Sequence, residues 1–431
     1  MSRQPGPRID PPLDPRIDPD GKRLPIKLDS TSNGEFVPVP LSGANRAANR
    51  LAHEAASDFS KKLGFTRRKF LVSSCGAAST LLAFNTANAA AGKSGGFFDV
   101  APEAALDLQL ARVQTGPAKD EFIFDVQGHF IDTPRGPKPA TSGNSKGPEV
   151  FIKDVFMDSD TDVMVLSFTP STRADEPVTI QAADAMRRIV DRLEGTHRLL
   201  VHGRVNPNQP GDLETMDELK EKWHVSAWKT YTQYGPQGKG YFLSDEVGTR
   251  FIEKARALGV KTICVHKGLP FGRQSYEHSQ CSDIGVVAKR FPDVNFLIYH
   301  SGFVTSVPEQ AAHAMGKLIR YCGEDNVLWG TDSIWYGSPQ DQIQAFRSFQ
   351  IAEPLAEKHG YPRITPALRA KVFGRNALKV YAIAPDILKK HIAGDRVERD
   401  RLAYRECADP NFVTHGPKTR REFLNLKAWG G

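Results

Sequence analysis

The order of apolar runs after Glu121 constrains this chain most. Seven short runs read as strands: Glu121 to Val126, Asp162 to Phe168, Leu199 to His202, Val225 to Tyr231, Lys261 to Val265, Asn295 to Tyr299 and Val327 to Trp329. Between them stand stretches of helical period, Ile180 to Leu193, Leu213 to Trp223, Asp245 to Leu258, Ile284 to Arg290 and Pro308 to Tyr321. Strand and helix alternating this often give a parallel α/β protein, either a barrel or an open doubly wound sheet. An open dinucleotide-type sheet carries GxGxxG after its first strand; none follows Val126, and no GxxxxGK[ST] loop occurs in the chain. The expectation is a (β/α)8 barrel over residues 120–385.

The chemistry lies where those strands end. Strand one runs into Gln127-Gly128-His129, Ile263-Cys264-Val265 into His266-Lys267-Gly268, Tyr299 into His300-Ser301-Gly302, and Trp329 into Gly330-Thr331-Asp332. In a barrel the C-terminal strand ends converge on one mouth, where active sites sit. Imidazoles and a carboxylate meeting there suit a divalent cation. One histidine at a strand end is commonly a packing residue, but an ordered set of polar strand ends argues for a site.

Three blocks carry a family resemblance: Phe291-Pro292-Asp293 through His300-Ser301-Gly302, the Gly330-Thr331-Asp332 strand end, and Phe373-Gly374-Arg375-Asn376-Ala377 through Tyr381. In that order they resemble the amidohydrolase superfamily, in particular the branch of aminocarboxymuconate-semialdehyde decarboxylase and aromatic-acid decarboxylases, over Glu121 to Ile383. The resemblance implies one divalent metal ion, zinc first and manganese second, with ligands at Gln127, His129, His266 and Asp332. It implies His300 as general acid or base, with Asp332 also in the catalytic set. The leading expectation is hydrolysis of a small ester, lactone or amide by a metal-activated water. Nonoxidative decarboxylation of a small or aromatic carboxylic acid is the alternative reaction, and a degenerate periplasmic binding protein the alternative class.

Two departures from the family pattern bear on this. Gln127 stands where the family has the first histidine of a His-x-His pair. Only 31 residues separate His300 from Asp332, so strand seven is either cryptic around Phe303 to Ser306 or lost. Lys229 occupies a position where binuclear relatives have a metal-bridging modified lysine; with Gln127 in place, a mononuclear centre is expected. Arg173, His202, Arg204 and Lys267 lie at or beyond strand ends and are candidates to bind a substrate carboxylate, ion pairing being the alternative. Trp335 is a candidate to stack on a planar substrate, or else to pack over the rim.

The remaining chain frames the barrel. Nine prolines and no hydrophobic period in the first 40 residues lead to an expectation of disorder over 1–64. In 65–91, Thr66-Arg67-Arg68-Lys69-Phe70-Leu71, an uncharged run to Gly92 and Ala87-Asn88-Ala89 together resemble a twin-arginine export signal. That implies a periplasmic protein that meets the translocase during export. Ser73, Ser74, Gly76, Ser79, Asn85, Thr86 and Asn88 make the run too polar for a stable membrane anchor. Residues 92–119 read as a linker, and the charged 386–431 as an exposed tail or an arm embracing a second copy in a homodimer.

Of the formal net charge of +7, most sits before Gly92, where 13 basic residues face 8 acidic ones; 44 face 42 in the remainder. A nucleic-acid-binding body is therefore not indicated, and the expected partner is a small-molecule substrate. Cys264, Cys281, Cys322 and Cys407 form no CxxC pair, which signals neither a zinc knuckle nor a disulfide framework.

Overall fold

A computed structural model describes residues 24–130, 147–173, 176–195, 197–268, 275–300, 307–385, 392 and 394–429. Strand β1 (Gly96–Phe98) is separate from the barrel and pairs antiparallel with β8 (Phe349–Ile351). Six strands form one parallel sheet in chain order: β2 (Phe124–Gly128), β3 (Val163–Leu166), β4 (Leu199–Arg204), β5 (Ala227–Tyr231), β6 (Thr262–His266) and β7 (Asn295–Tyr299). They match six of the seven expected strands, with ends shifted by a few residues. The register places Lys229 opposite Cys264 and His266 opposite Tyr299, so the polar strand ends stand level at one edge.

The seventh expected strand, Val327 to Trp329, is not a regular strand, yet it does the work of one. The Val126 amide donates to Trp329 O at 3.0 Å and the Asp332 amide to Gln127 O at 3.0 Å, and Gly128 bridges Ser333 in parallel. This segment therefore lines the free edge of β2. Across the curled sheet, the Tyr299 hydroxyl on β7 donates to the Val126 carbonyl at 2.7 Å. The architecture is a TIM-barrel-like α/β fold with an incomplete barrel. The cryptic-strand position, 303–306, lies outside the described residues.

The N-terminal expectation fails over residues 24–62. Leu24, Ile26 and Leu28 are fully buried, alternating apolar positions either side of Pro25 and Lys27 that find their partners only in the folded protein. Helix α1 (Gly43–Lys62) starts at Ser42, whose hydroxyl accepts from the Asn45 amide at 3.1 Å, and buries Ala44, Ala48, Ala52 and Ala56.

The twin-arginine segment is likewise helical and built into the core. Helix α2 (Arg67–Leu71) is followed by α3 (Ser74–Ala90), capped by Thr66 and Ser73 respectively. Phe70, Cys75, Leu81 and Phe84 join Ile26, Leu28, Phe98, Phe346 and Phe349 in one hydrophobic cluster. Asn85, polar in the middle of the apolar run, pairs with the backbone of Phe98, donating to its carbonyl at 2.7 Å and accepting from its amide at 2.9 Å. Arg67 bonds His53 O at 2.9 Å and Ser57 Oγ at 2.6 Å on α1. Among the described residues, no helix is long and apolar enough to cross a membrane.

The C-terminal segment is not a free tail. Buried Arg198 holds Asp395 through two bonds, 2.6 and 2.9 Å, and Arg401 reaches Thr161 O at 3.1 Å and Asp162 at 3.3 Å. Asp395 and Arg401 are buried because they are paired across to the barrel. Further on, the His415 and Gly416 amides both donate to Trp335 O, at 2.8 and 2.9 Å, at the barrel mouth.

Candidate functional site

The site starts from Asp125, fully buried in β2. Its carboxylate accepts from the backbone amides of Gln127 at 3.0 Å and Thr331 at 3.1 Å, and from the Thr331 hydroxyl. It thereby pins Gly330-Thr331-Asp332 against β2. Burial pushes the Asp125 carboxyl up to about 7, although the bonds from Thr331 and Gln127 oppose this. Asp332, delivered by this clamp, has φ 56°, and His300 at the end of β7 has φ 67°. Both residues stand in the left-handed region that side-chain-bearing residues seldom adopt, a feature that clusters at functional sites.

Around Asp332 the predicted residues meet. His129 Nε2 lies 3.0 Å from Asp332 Oδ1, and Gln127 Nε2 donates to the same oxygen at 2.9 Å. His129 Nδ1 stands 3.0 Å from the Ser167 carbonyl, which only accepts, so Nδ1 donates there and Nε2 is the nitrogen turned toward Asp332. Burial raises Asp332, but the contact and charge of His129, the charge of His300 and the amide of Asn33 outweigh it and hold the carboxyl low.

A second cluster adjoins the first. His266, fully buried, stacks on Tyr231 with ring centroids 4.9 Å apart, and its ring lies 4.5 Å from that of His300. Facing both is Glu35. Its Oε1 is 3.2 Å from His266 Nδ1 and its Oε2 3.8 Å from His300 Nε2, and one ligand atom from each of the three lies within 4.8 Å of the others. Asn33 Nδ2 joins the two clusters, donating to Glu35 Oε2 at 2.6 Å and to Asp332 Oδ2 at 2.9 Å. Burial lowers His300 to about 4, the charges of Lys229 and His129 adding to this and Asp332 opposing it. It is a neutral imidazole near pH 7.

Beneath these groups lies Lys229. Its amine sits over the Tyr299 ring at 3.8 Å and the Tyr231 ring at 4.7 Å, with no hydrogen-bond partner. Burial lowers it to about 8, against the charges of Cys264, Glu35 and Asp332. His202 is a core histidine, bonded to Tyr381 Oη at 3.0 Å and Ser167 Oγ at 3.2 Å.

The expected substrate-binding cations do not converge on this centre. Arg173 bonds Asp212 at 2.8 Å and Gly211 O at 2.7 Å; Arg204 holds Glu176 at 2.6 Å and Asp212 at 3.0 Å; Lys267 holds Asp283 at 2.9 Å and His278 O at 3.0 Å. Buried carboxylates demand these charges, so all three have structural duties. Trp335 does stand at the site, its ring 6.0 Å from that of His129.

Sequence reasoning missed Asn33 and Glu35, the residues that come from furthest away in the chain. The one local signal was Asn33-Gly34, a turn dipeptide with Gly34 at φ 92°.

No protein-family model matches this sequence, and no curated protein matches it. Among solved structures, an uncharacterized TIM-barrel protein from Bordetella bronchiseptica is similar at 12% identity, with 60% of this chain and 98% of that one covered and a TM-score of 0.42. A dihydroorotase from Campylobacter jejuni is similar at 12% identity, 61% and 84% coverage and a TM-score of 0.38. An amidohydrolase from Mycobacterium avium subsp. paratuberculosis follows at 13% identity, 61% and 100% coverage and a TM-score of 0.39. At these values the similarities carry no argument about function, which rests on the site itself.

Proposed function

We propose that this chain is a metal-dependent hydrolase of a small ester, lactone or amide, with its centre at the incomplete barrel's mouth. The observation that carries the reading is the buried His129–Asp332 pair at the strand ends, in which Ser167 O orients the imidazole so that Nε2 and a carboxylate oxygen face each other 3.0 Å apart. By their places at the strand ends, His129, His266 and Asp332 are the residues that would hold a divalent cation, imidazole and carboxylate donors being those that zinc or manganese takes. Gln127 supports Asp332 by donation from its amide nitrogen, a different task from the ligand role its position implied.

A cation held there would supply Lewis acidity toward a carbonyl and activate water near neutral pH. The chain's own residues supply the rest. His300, its ring 4.5 Å from that of His266, is placed to exchange a proton beside the centre. Asp125 pins the Thr331 backbone beside Asp332, and Gln127 and Asn33 donate to the two oxygens of the Asp332 carboxylate, so the site is oriented before substrate arrives.

Elemental analysis of purified protein tests this reading. The expected result is about one equivalent of zinc or manganese, lost in His129→Ala, followed by hydrolysis in a screen of lactones, esters and amides. Protein that takes up no cation after reloading would end it.

A further inference from the structure

We infer that Glu35, carried to the barrel mouth by residues 24–36, is a ligand of the cation, so that this N-terminal strap is a permanent part of the active centre. The inference rests on the metal-centre reading above and adds to it a ligand from outside the barrel. Glu35 has the geometry of a ligand. One of its oxygens faces His266 Nδ1 at 3.2 Å, the other faces His300 Nε2 at 3.8 Å, and its side chain is 9% exposed. Two imidazoles and a carboxylate whose ligand atoms come within 4.8 Å of one another are a donor set that suits a divalent cation.

The charge count at the centre points the same way. Gln127 turns its amide nitrogen to Asp332, so the strand-one end contributes one donor, His129, where Gln127 and His129 were both expected. Glu35 restores a donor to the set and adds a negative charge. Asn33 ties this donor to the rest of the site, since one amide nitrogen holds both Glu35 Oε2 and Asp332 Oδ2. Second-layer bonds of this kind orient ligating carboxylates.

The strap is fixed too firmly to be a detachable plug. Leu24, Ile26 and Leu28 are buried in the core, and Asn49 on α1 donates to Leu28 O at 3.0 Å. Beyond them the Thr31 hydroxyl meets that of Thr414, and the Ser32 amide donates to Pro417 O at 2.9 Å. The two termini run so close that a side chain at Gly416 would collide with the Ser32 carbonyl. Glu35 is therefore held in place from both sides, as a fixed ligand must be.

The test is titration of the metal-free full chain with Zn2+ by calorimetry against a competing chelator, with the visible spectrum of the Co2+ form as a second readout. Glu35→Gln preserves size and the acceptor for Asn33, and circular dichroism checks that it folds. The expected result is a loss of Zn2+ affinity of about ten-fold to a hundred-fold or more in Glu35→Gln, with an altered Co2+ absorption band. Glu35→Asp should recover part of the affinity. Wild-type affinity and an unchanged Co2+ spectrum in Glu35→Gln, while His129→Ala loses the metal, would overturn the ligand role of Glu35 alone. Absence of Zn2+ binding in the wild type would overturn it together with the metal-centre reading.

Discussion

At the residue scale, the site depends on a few buried charges whose partners decide what each can do. Lys267 stands one residue past His266 and invites a substrate-binding role, yet its amine is fully buried against Asp283. Lys267→Met should therefore lower stability by about 3–5 kcal/mol, because Asp283 is left buried and unpaired. Chemical denaturation measures this loss. A stable variant with a raised KM would instead restore the substrate role. Lys229 is the opposite case, an amine buried without a hydrogen-bond partner. Its proton is lost at about pH 8 in the folded protein, against an ordinary value of 10.5. Between those values the unfolded chain binds more protons, so stability rises with pH from 8 to 10.5, by up to about 3 kcal/mol from this group. Lys229→Met should remove that slope and raise stability near pH 7; an unchanged pH profile of the unfolding free energy would show that the amine is not desolvated in this way.

At the scale of elements, what the sequence made legible follows from how far each signal reaches. Strands β2 to β7 announced themselves through short apolar runs, because a strand covered on both faces is apolar along its length. His129, His266, His300 and Asp332 were legible for a related reason: parallel strands send their ends to one place. Glu35 was not legible, since nothing local indicates that residues 24–36 thread to the barrel mouth. Helix α3 shows a second limit. An uncharged run rich in Ala, Leu and Ser has the same composition whether it is an export signal or a helix in a core, and only its partners tell the two apart. Asn85 is the informative residue, because its paired bonds to Phe98 have no place in a free leader. Asn85→Ala should cost about 1–3 kcal/mol by leaving the Phe98 backbone unsatisfied, and Phe84→Ala about 3–5 kcal/mol by opening a cavity. Thermal unfolding of both variants measures this, and unchanged midpoints would mean that α3 is not packed on β1.

At the scale of the whole molecule, the segments before and after the barrel pack against it and over its mouth. Residues 24–90 contribute about a third of the largest hydrophobic cluster among the described residues, and residues 413–417 hold the strap over the mouth. Cleavage after Ala89, as an export signal of this type implies, would remove Ile26, Leu28, Phe70, Leu81 and Phe84 from that cluster. Each contributes about 1.5–3 kcal/mol by its burial. Together they rival the net stability of a typical domain, about 5–15 kcal/mol. Phe98, Phe346 and Phe349 would be uncovered at the same time, and Glu35 would leave with the strap. A chain beginning at Ala90 should therefore fail to unfold cooperatively, bind a hydrophobic dye and lose affinity for Zn2+. The protein isolated from its native compartment should retain residues 24–90, which intact-mass measurement reads directly. A trimmed protein with a sharp unfolding transition and full Zn2+ affinity would instead make these helices a removable leader, and would place every ligand of the cation on the barrel.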